Sequence, residues 1–216
     1  MTYTGKVRPG GPAEHRRLDQ LSITKFSVGD MDNNVYLLRC SVTGEQLLID
    51  AADDADRILT EVGPDGLNTV ITTHRHWDHV RATAEVVDRT GATGLAHVDD
   101  SEAIPAVTRT VRDGDTVPLG ATTVDIIHLV GHTPGSIAVL YREPGGRAHL
   151  FTGDSLFPGG VGRTESPEDF RSLIDDVEHK LFDRFGDDTR VYPGHGDDTT
   201  LGVERPHLAA WRSRGW

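Results

Sequence analysis

The sequence predicts a mixed α/β (α+β) fold in which two β-sheets pack together and carry helices on their outer sides. Strand-like segments are followed by helix–strand units, and this order occurs twice along the 216 residues. The helical segments each show an apolar face, which an outer position on a sheet would bury. Gly is abundant, at 24 residues, as many short elements joined by tight turns require.

Residues 1–17 are rich in Gly, Pro and charge. They read as an N-terminal arm, loose or added at a sheet edge, before a single domain over 18–216. LSITKFSV (21–28) and NVYLLRC (34–40) are strands joined by the turn GDMDN, and GEQLLIDAA (44–52) adds a third, which suggests an antiparallel start. Residues 52–63 read as a short helix closed by Gly63, and the β-branched run LNTVITT (67–73) as a buried strand. A helix over 79–91 has Ala82, Val86 and Val87 as apolar positions and ends at Gly91; GLAHV (94–98) is a short strand. DTVPLGATTVDIIHLV (115–130), SIAVLYRE (136–143) and AHLFTGD (148–154) read as a second meander, with PGG (144–146) as a hairpin turn. Residues 166–186 give the clearest helix. Ser166 caps it, Pro167 takes the first helical position, and Phe170, Leu173, Ile174, Val177 and Leu181 share one face. TRVYPGHG (189–196) is a last strand and turn. A short polar-aromatic tail follows, whose Trp211 and Trp216 pack on the core or on another subunit.

Composition sets limits on partners. A net charge of −12 repels nucleic acid, and no run of Lys and Arg offsets it. Bound divalent cations would neutralise part of that charge. The single cysteine, Cys40, cannot form an intrachain disulfide and reads as a packed residue of an apolar strand. The N-terminus lacks the apolar stretch of a secretory signal, and no window approaches the ~20 apolar residues of a membrane span. The expectation is a soluble, cytoplasmic protein that acts on a small molecule, with neither nucleic acid nor membrane as partner.

The segment TTHRHWDH (72–79) carries the chemistry. His74, His76, Asp78 and His79 lie within six residues directly after a buried strand. In extended chain His74 and His76 point to one side, and once the chain turns Asp78 and His79 can face a second point nearby. Imidazole and carboxylate are the usual ligands of zinc, with iron and manganese as alternatives. Three further ligand-type residues each follow an apolar strand and sit beside Gly: His132 in GHTPGS, Asp154 in TGDSLF and His195 in PGHG. Loops of this kind gather at one sheet edge, so the seven form one candidate set. His15, His97, His128, His149, His179 and His207 lack that context and read as structural or surface residues.

With those motifs in view, the chain resembles the glyoxalase II branch of the metallo-β-lactamase superfamily. TTHRHWDH, GHTPGS, GDSLF, GGVGRT (159–164) and YPGHG follow the family order over about residues 21–200. The resemblance implies a four-layer αββα sandwich with a metal site at one edge. It implies one ion on His74, His76 and His132, a second on Asp78, His79 and His195, and Asp154 bridging them. Asp78 and Asp154 are then the candidate catalytic carboxylates, Asp78 also orienting the attacking water. Asp50 matches a family position that orients a ligand histidine, and Thr133 and Ser136 are candidates to brace the His132 loop. Two divalent ions would activate a water near neutral pH and polarise the carbonyl it attacks, so no Ser or Cys nucleophile is required.

The resemblance also bears on substrate. Arg163 stands where thioester-cleaving relatives carry a basic residue, and can hold a substrate carboxylate; an ordinary structural Arg is the alternative. Glu165 stands where a glutathione-binding aromatic is expected, VRAT (80–83) replaces a small Gly-containing run, and only 21 residues follow His195, too few for the family's helical C-terminal domain. The expected activity is hydrolysis of a thioester of a small thiol. A lactone or ester hydrolase, a mononuclear-iron persulfide dioxygenase using His74, His132 and Asp154, and a non-enzymatic metal role are the alternatives.

Overall fold

The computed structural model describes residues 3–215; Trp216 lies outside them. The first sheet holds β1 (Glu14–Arg17), β2 (Leu21–Val28), β3 (Asn33–Cys40), β4 (Gln46–Ile49), β5 (Thr69–Ile71), β6 (Thr93–His97) and β7 (Arg109–Val111), in that spatial order. The pairs from β1 to β4 are antiparallel, as the run of short connections demands; those from β4 to β7 are parallel. The second sheet holds β8 (Thr116–Leu119), β9 (Thr122–His128), β10 (Ile137–Arg142), β11 (Ala148–Gly153), β14 (Arg190–Pro193) and β15 (Thr199–Thr200). A small ladder of β12 (Leu156–Phe157) and β13 (Gly160–Val161) stands beside it.

Each sheet is buried on both faces. Along β3, Tyr36, Leu38 and Cys40 join the cluster between the sheets, while Val35 and Leu37 join the outer cluster under α1 (Ala55–Val62) and α2 (Thr83–Thr90). Cys40 is thus a packed core residue. On the far side, Leu173, Ile174, Val177 and Leu181 pack on Ile127, Leu140, Leu150 and Val191. The layers therefore run helix, sheet, sheet, helix, which is the αββα arrangement.

Several elements differ from the sequence reading. Residues 115–130 are not one strand: Gly120, at φ +61, turns the chain so that Leu119 pairs with Thr122. A side chain at Gly120 would collide with Thr43 and Cys40, so the turn is also a packing contact. The long helix begins as read, with Ser166 accepting from the Asp169 N–H, but α3 (Pro167–Asp176) gives way to a π-helical turn over Val177–Phe182. The wider turn leaves Leu181, Phe182 and Phe185 all buried. The helix read over 79–91 starts at Thr83, because 77–79 form a tight 3-10 turn at the site. The polar-aromatic tail is helical: α4 (Leu201–Glu204) and α5 (Leu208–Arg214) dock on the second sheet, and Trp211 is 3% exposed against Phe182. One buried aromatic outweighs the polar composition around it.

Candidate metal centre

The seven side chains singled out in the sequence meet at one edge of the sandwich. The 74–79 loop leaves β5 of the first sheet, whereas His132, Asp154 and His195 follow β9, β11 and β14 of the second. The β9 hairpin and the parallel β11–β14 pair end at the same edge, which brings residues distant in sequence together. Three groups have ligand atoms within 4.8 Å of one another and can hold a metal ion: His74, His76 and His132; His74, His79 and Asp154; Asp78, His79 and His195. Asp154 lies between the outer two groups. Its Oδ2 is 3.7 Å from His132 Nε2 and 3.5 Å from His195 Nε2, and its Oδ1 is 3.4 Å from His79 Nε2. Asp78 Oδ2 is 3.4 Å from His195 Nε2.

The rings are aimed by their outer nitrogens. His79 Nδ1 donates to Asp50 Oδ2 (2.9 Å), His132 Nδ1 to the Arg163 carbonyl (2.7 Å) and His195 Nδ1 to the Met31 carbonyl (2.8 Å). Thr73 Oγ1 donates to Asp50 Oδ2 (2.7 Å), so its lone pairs are free for His74 Nδ1 at 3.0 Å. In the neutral rings that a cation would require, Nδ1 carries the proton and each Nε2 would present its lone pair to the centre. Among the described residues the buried His74 Nε2, His132 Nε2 and Asp154 Oδ1 have no hydrogen-bond partner. Buried acceptors left unmade cost about 1–3 kcal/mol each, and three converging on one spot fit a cation. Space fits as well: a side chain at Gly194 would put Cβ 2.2 Å from Asp154 Oδ1, and one at Gly162 would run into the Asp154 carbonyl.

Electrostatics divide the histidines. Burial, with the nearby His79, holds His74 well below the usual imidazole range, so it is neutral. Burial acts the same way on His79, but the charge of Asp154, 3.4 Å away, and the hydrogen-bonded carboxylate of Asp50 outweigh it and push His79 up to about 10. Burial raises the Asp154 carboxyl, and the close approach of His195 and His79 outweighs that and holds it well below the carboxylate range.

Asp100 and Asn33 are supports that the sequence did not reveal, and they work beside Thr133, Ser136 and Asp50, which it did. Asp100, 1% exposed, accepts from the Arg75 N–H (3.0 Å), Thr133 Oγ1 (2.5 Å) and the Gly135 N–H (2.9 Å), and so joins the 74–79 loop to the His132 loop. Thr133 and Ser136 also bond each other, at 2.7 Å. Asn33 Nδ2 donates to Asp78 Oδ2 (2.9 Å). Asp100 and Asn33 sit in segments whose composition reads only as turns, so nothing local marks them. Asp50, at φ +58, accepts from the Thr73 N–H as well (2.7 Å). The Arg163 guanidinium makes no hydrogen bond or ion pair among the described residues. It lines a cavity of about 370 Å³ with Val161, Phe170 and Arg214. Glu165 borders a second cavity, of about 270 Å³, beside His76 and His132. Of the histidines set aside, His149 is buried against the Tyr192 hydroxyl (2.8 Å) and Glu143 (2.9 Å). His97 stacks on His128 at 3.8 Å; with Asp99 their ligand atoms also lie within 4.8 Å of one another.

Comparison with known proteins agrees with this geometry. The profile of the metallo-beta-lactamase superfamily matches residues 28–196. A hydroxyacylglutathione hydrolase of Methylobacterium sp. (strain 4-46) is 36% identical over 184 residues, covering 83% of this chain and 68% of that protein. One from Polaromonas sp. (strain JS666) is 36% identical over 162 residues, 74% of this chain and 60% of that protein. The chain thus spans about two thirds of the first relative's length and less of the second's. Among solved structures, TTHA1623 in a di-iron-bound form superposes with a TM-score of 0.68 at 30% identity, covering 83% of this chain and 95% of that one. No helix among the described residues is long and apolar enough to cross a membrane. By profile, by relatives and by fold, the chain belongs to the metallo-beta-lactamase superfamily.

Proposed function

We propose that the protein is a binuclear metal-dependent hydrolase that cleaves a thioester of a small thiol. The observation that carries this is the position of Asp154 between two three-residue groups, within 3.7 Å of both His132 and His195. A closed structural site uses four ligands; seven converging donors favour an open, reactive site. When bound, two divalent cations, zinc first with iron or manganese as alternatives, would supply Lewis acidity and a water with a pKa of about 7. The chain's own residues supply the rest. His74, His76 and His132 would hold one cation, Asp78, His79 and His195 the other, and Asp154 would be shared between them. Asp78, held by Asn33, orients the attacking water. Arg163 receives a carboxylate of the substrate in its cavity. A thiol leaving group ionises near pH 8.5, roughly, and so leaves without a proton donor. The relatives named hydroxyacylglutathione hydrolase support the same class.

The test is a hydrolysis screen on purified protein with thioesters of several small thiols, lactones and a chromogenic cephalosporin, beside metal analysis and oxygen uptake. Thioester cleavage with two bound ions and no oxygen uptake is the expected result. One iron with oxygen uptake would establish the dioxygenase alternative. Full activity after metal stripping would end the hydrolytic mechanism.

A further inference from the structure

Lys25 is fully buried, at 0% exposure, although it lies outside the seven-residue centre. An ammonium group so placed is tolerated only where every proton finds an acceptor and a counter-charge is near. Lys25 Nζ donates to the Gly196 carbonyl at 2.8 Å, Asp198 Oδ1 at 2.7 Å and the Gly5 carbonyl at 2.7 Å, which uses all three of its protons. Two of these acceptors belong to the turn directly after His195. The third belongs to the N-terminal segment, which is fastened again where the Tyr3 hydroxyl donates to Asp198 Oδ2 at 2.6 Å. Gly5, at φ +76, is required for this approach: a Cβ there would lie 2.7 Å from the Asp198 carboxyl carbon. From β3, Asn34 Nδ2 donates to the carbonyls of Pro193 and Gly196, both at 2.9 Å, and the Tyr36 hydroxyl to Pro193 at 2.7 Å. The His195 turn therefore hangs from the first sheet at several points, and one of them is a buried ion pair.

We infer that Lys25 and Asp198, with Tyr3 and Gly5 of the N-terminal segment, are the positioning device that seats His195 in its ligand group. The inference rests on the reading of His195 as a metal ligand. The device acts on one group alone. His132 is held by the Arg163 carbonyl and His74 by Thr73, and none of the Lys25 partners touches those supports. A salt bridge that served only stability would lower the affinity of both ligand groups or of neither. A positioning role predicts a selective loss. The N-terminal arm is then part of the site: Tyr3 and Gly5 close the back of the His195 turn.

The variants are Lys25→Met combined with Asp198→Asn, which removes both charges so that neither is left unpaired, and Tyr3→Phe, which deletes one hydroxyl and tests the strap in a fold that keeps the ion pair. In metal-free protein, amide hydrogen exchange over residues 194–198 should quicken about tenfold in the double variant, with residues 73–79 and 131–136 unchanged. In zinc titrations the weaker of two dissociation constants should rise roughly 10–100-fold and the other stay within about twofold, the scale on which loss of a ligand's support acts. Tyr3→Phe should shift both readouts in the same direction by a smaller factor. In a His195→Ala background the double variant should change zinc affinity no further. Unchanged exchange at 194–198, equal weakening of both ions, or a full additional loss in the His195→Ala background would each overturn the inference. Wild-type protein that binds a single ion would instead overturn the binuclear reading, while the exchange experiment still decides whether the turn is held from Lys25. If the double variant does not fold, Tyr3→Phe decides both readouts.

Discussion

Replacing Asp50 by Asn keeps the size and the left-handed backbone that Asp50 adopts at φ +58, but removes an acceptor the site depends on. The carboxylate, 2% exposed, receives the Thr73 N–H and the Thr73 hydroxyl at 2.7 Å each and His79 Nδ1 at 2.9 Å. All three partners are donors, and an amide offers only one acceptor oxygen. If that oxygen keeps the Thr73 N–H, the amide NH2 faces His79 Nδ1 and the Thr73 hydroxyl. The imidazole then answers with an Nδ1 lone pair and puts its proton on Nε2, aimed at Asp154 and His195. The Thr73 hydroxyl turns its proton toward His74, and that ring is pressed the same way. Hydrogen bonds to a charged partner contribute about 1.5–3 kcal/mol each, so the metal-free variant should lose stability on that order. Loss of a ligand's outer partner weakens metal binding roughly 10–100-fold, or about 1.4–2.7 kcal/mol. Competition titrations against a chromophoric chelator would measure the affinity, and thermal unfolding of the metal-free form the stability. An Asp50→Asn protein that folds and binds two ions with wild-type affinity would show that His79 is not aimed by Asp50.

Gly194→Ala should abolish metal binding with the fold retained, because the new Cβ would lie 2.2 Å from Asp154 Oδ1 and 2.8 Å from His79 Cε1; normal metal content in the variant would refute it. Metal loading at pH 8 should release about two protons per chain, one from His79, held protonated with a pKa of about 10 in the metal-free site, and nearly one from the water the cations would activate. Calorimetry in two buffers of different ionisation enthalpy reads this, and identical heats would contradict it. Trp211→Ala removes a side chain 3% exposed and should cost about 3–5 kcal/mol, a Tm lowered by the order of 10 °C; a shift within about 1 °C would mean that α5 is not docked in solution.

What the sequence determined by itself is local. Periodicity marked β2, β3, the capped start of α3 and the strand before each ligand loop, because burial on a sheet or helix face leaves a repeat that composition preserves. The cluster over 74–79 was legible as a candidate for a related reason: four side chains of metal-ligand type fall within six residues directly after a buried strand. The Gly120 turn and the docked tail were not legible, since the first depends on what Thr43 and Cys40 leave room for and the second on a surface built by the second sheet. The same division runs through the site. Residue type announces a ligand, but its aim is set by a partner elsewhere in the chain. Asp50 was legible through the family resemblance; Asp100, Asn33 and Lys25 were not. Strand order within the first sheet brings Asp50 to Thr73, Asp100 to Arg75 and Asn33 to Asp78, and the packing of the two sheets brings Asp100 to Thr133 and Lys25 to Asp198, 173 positions away.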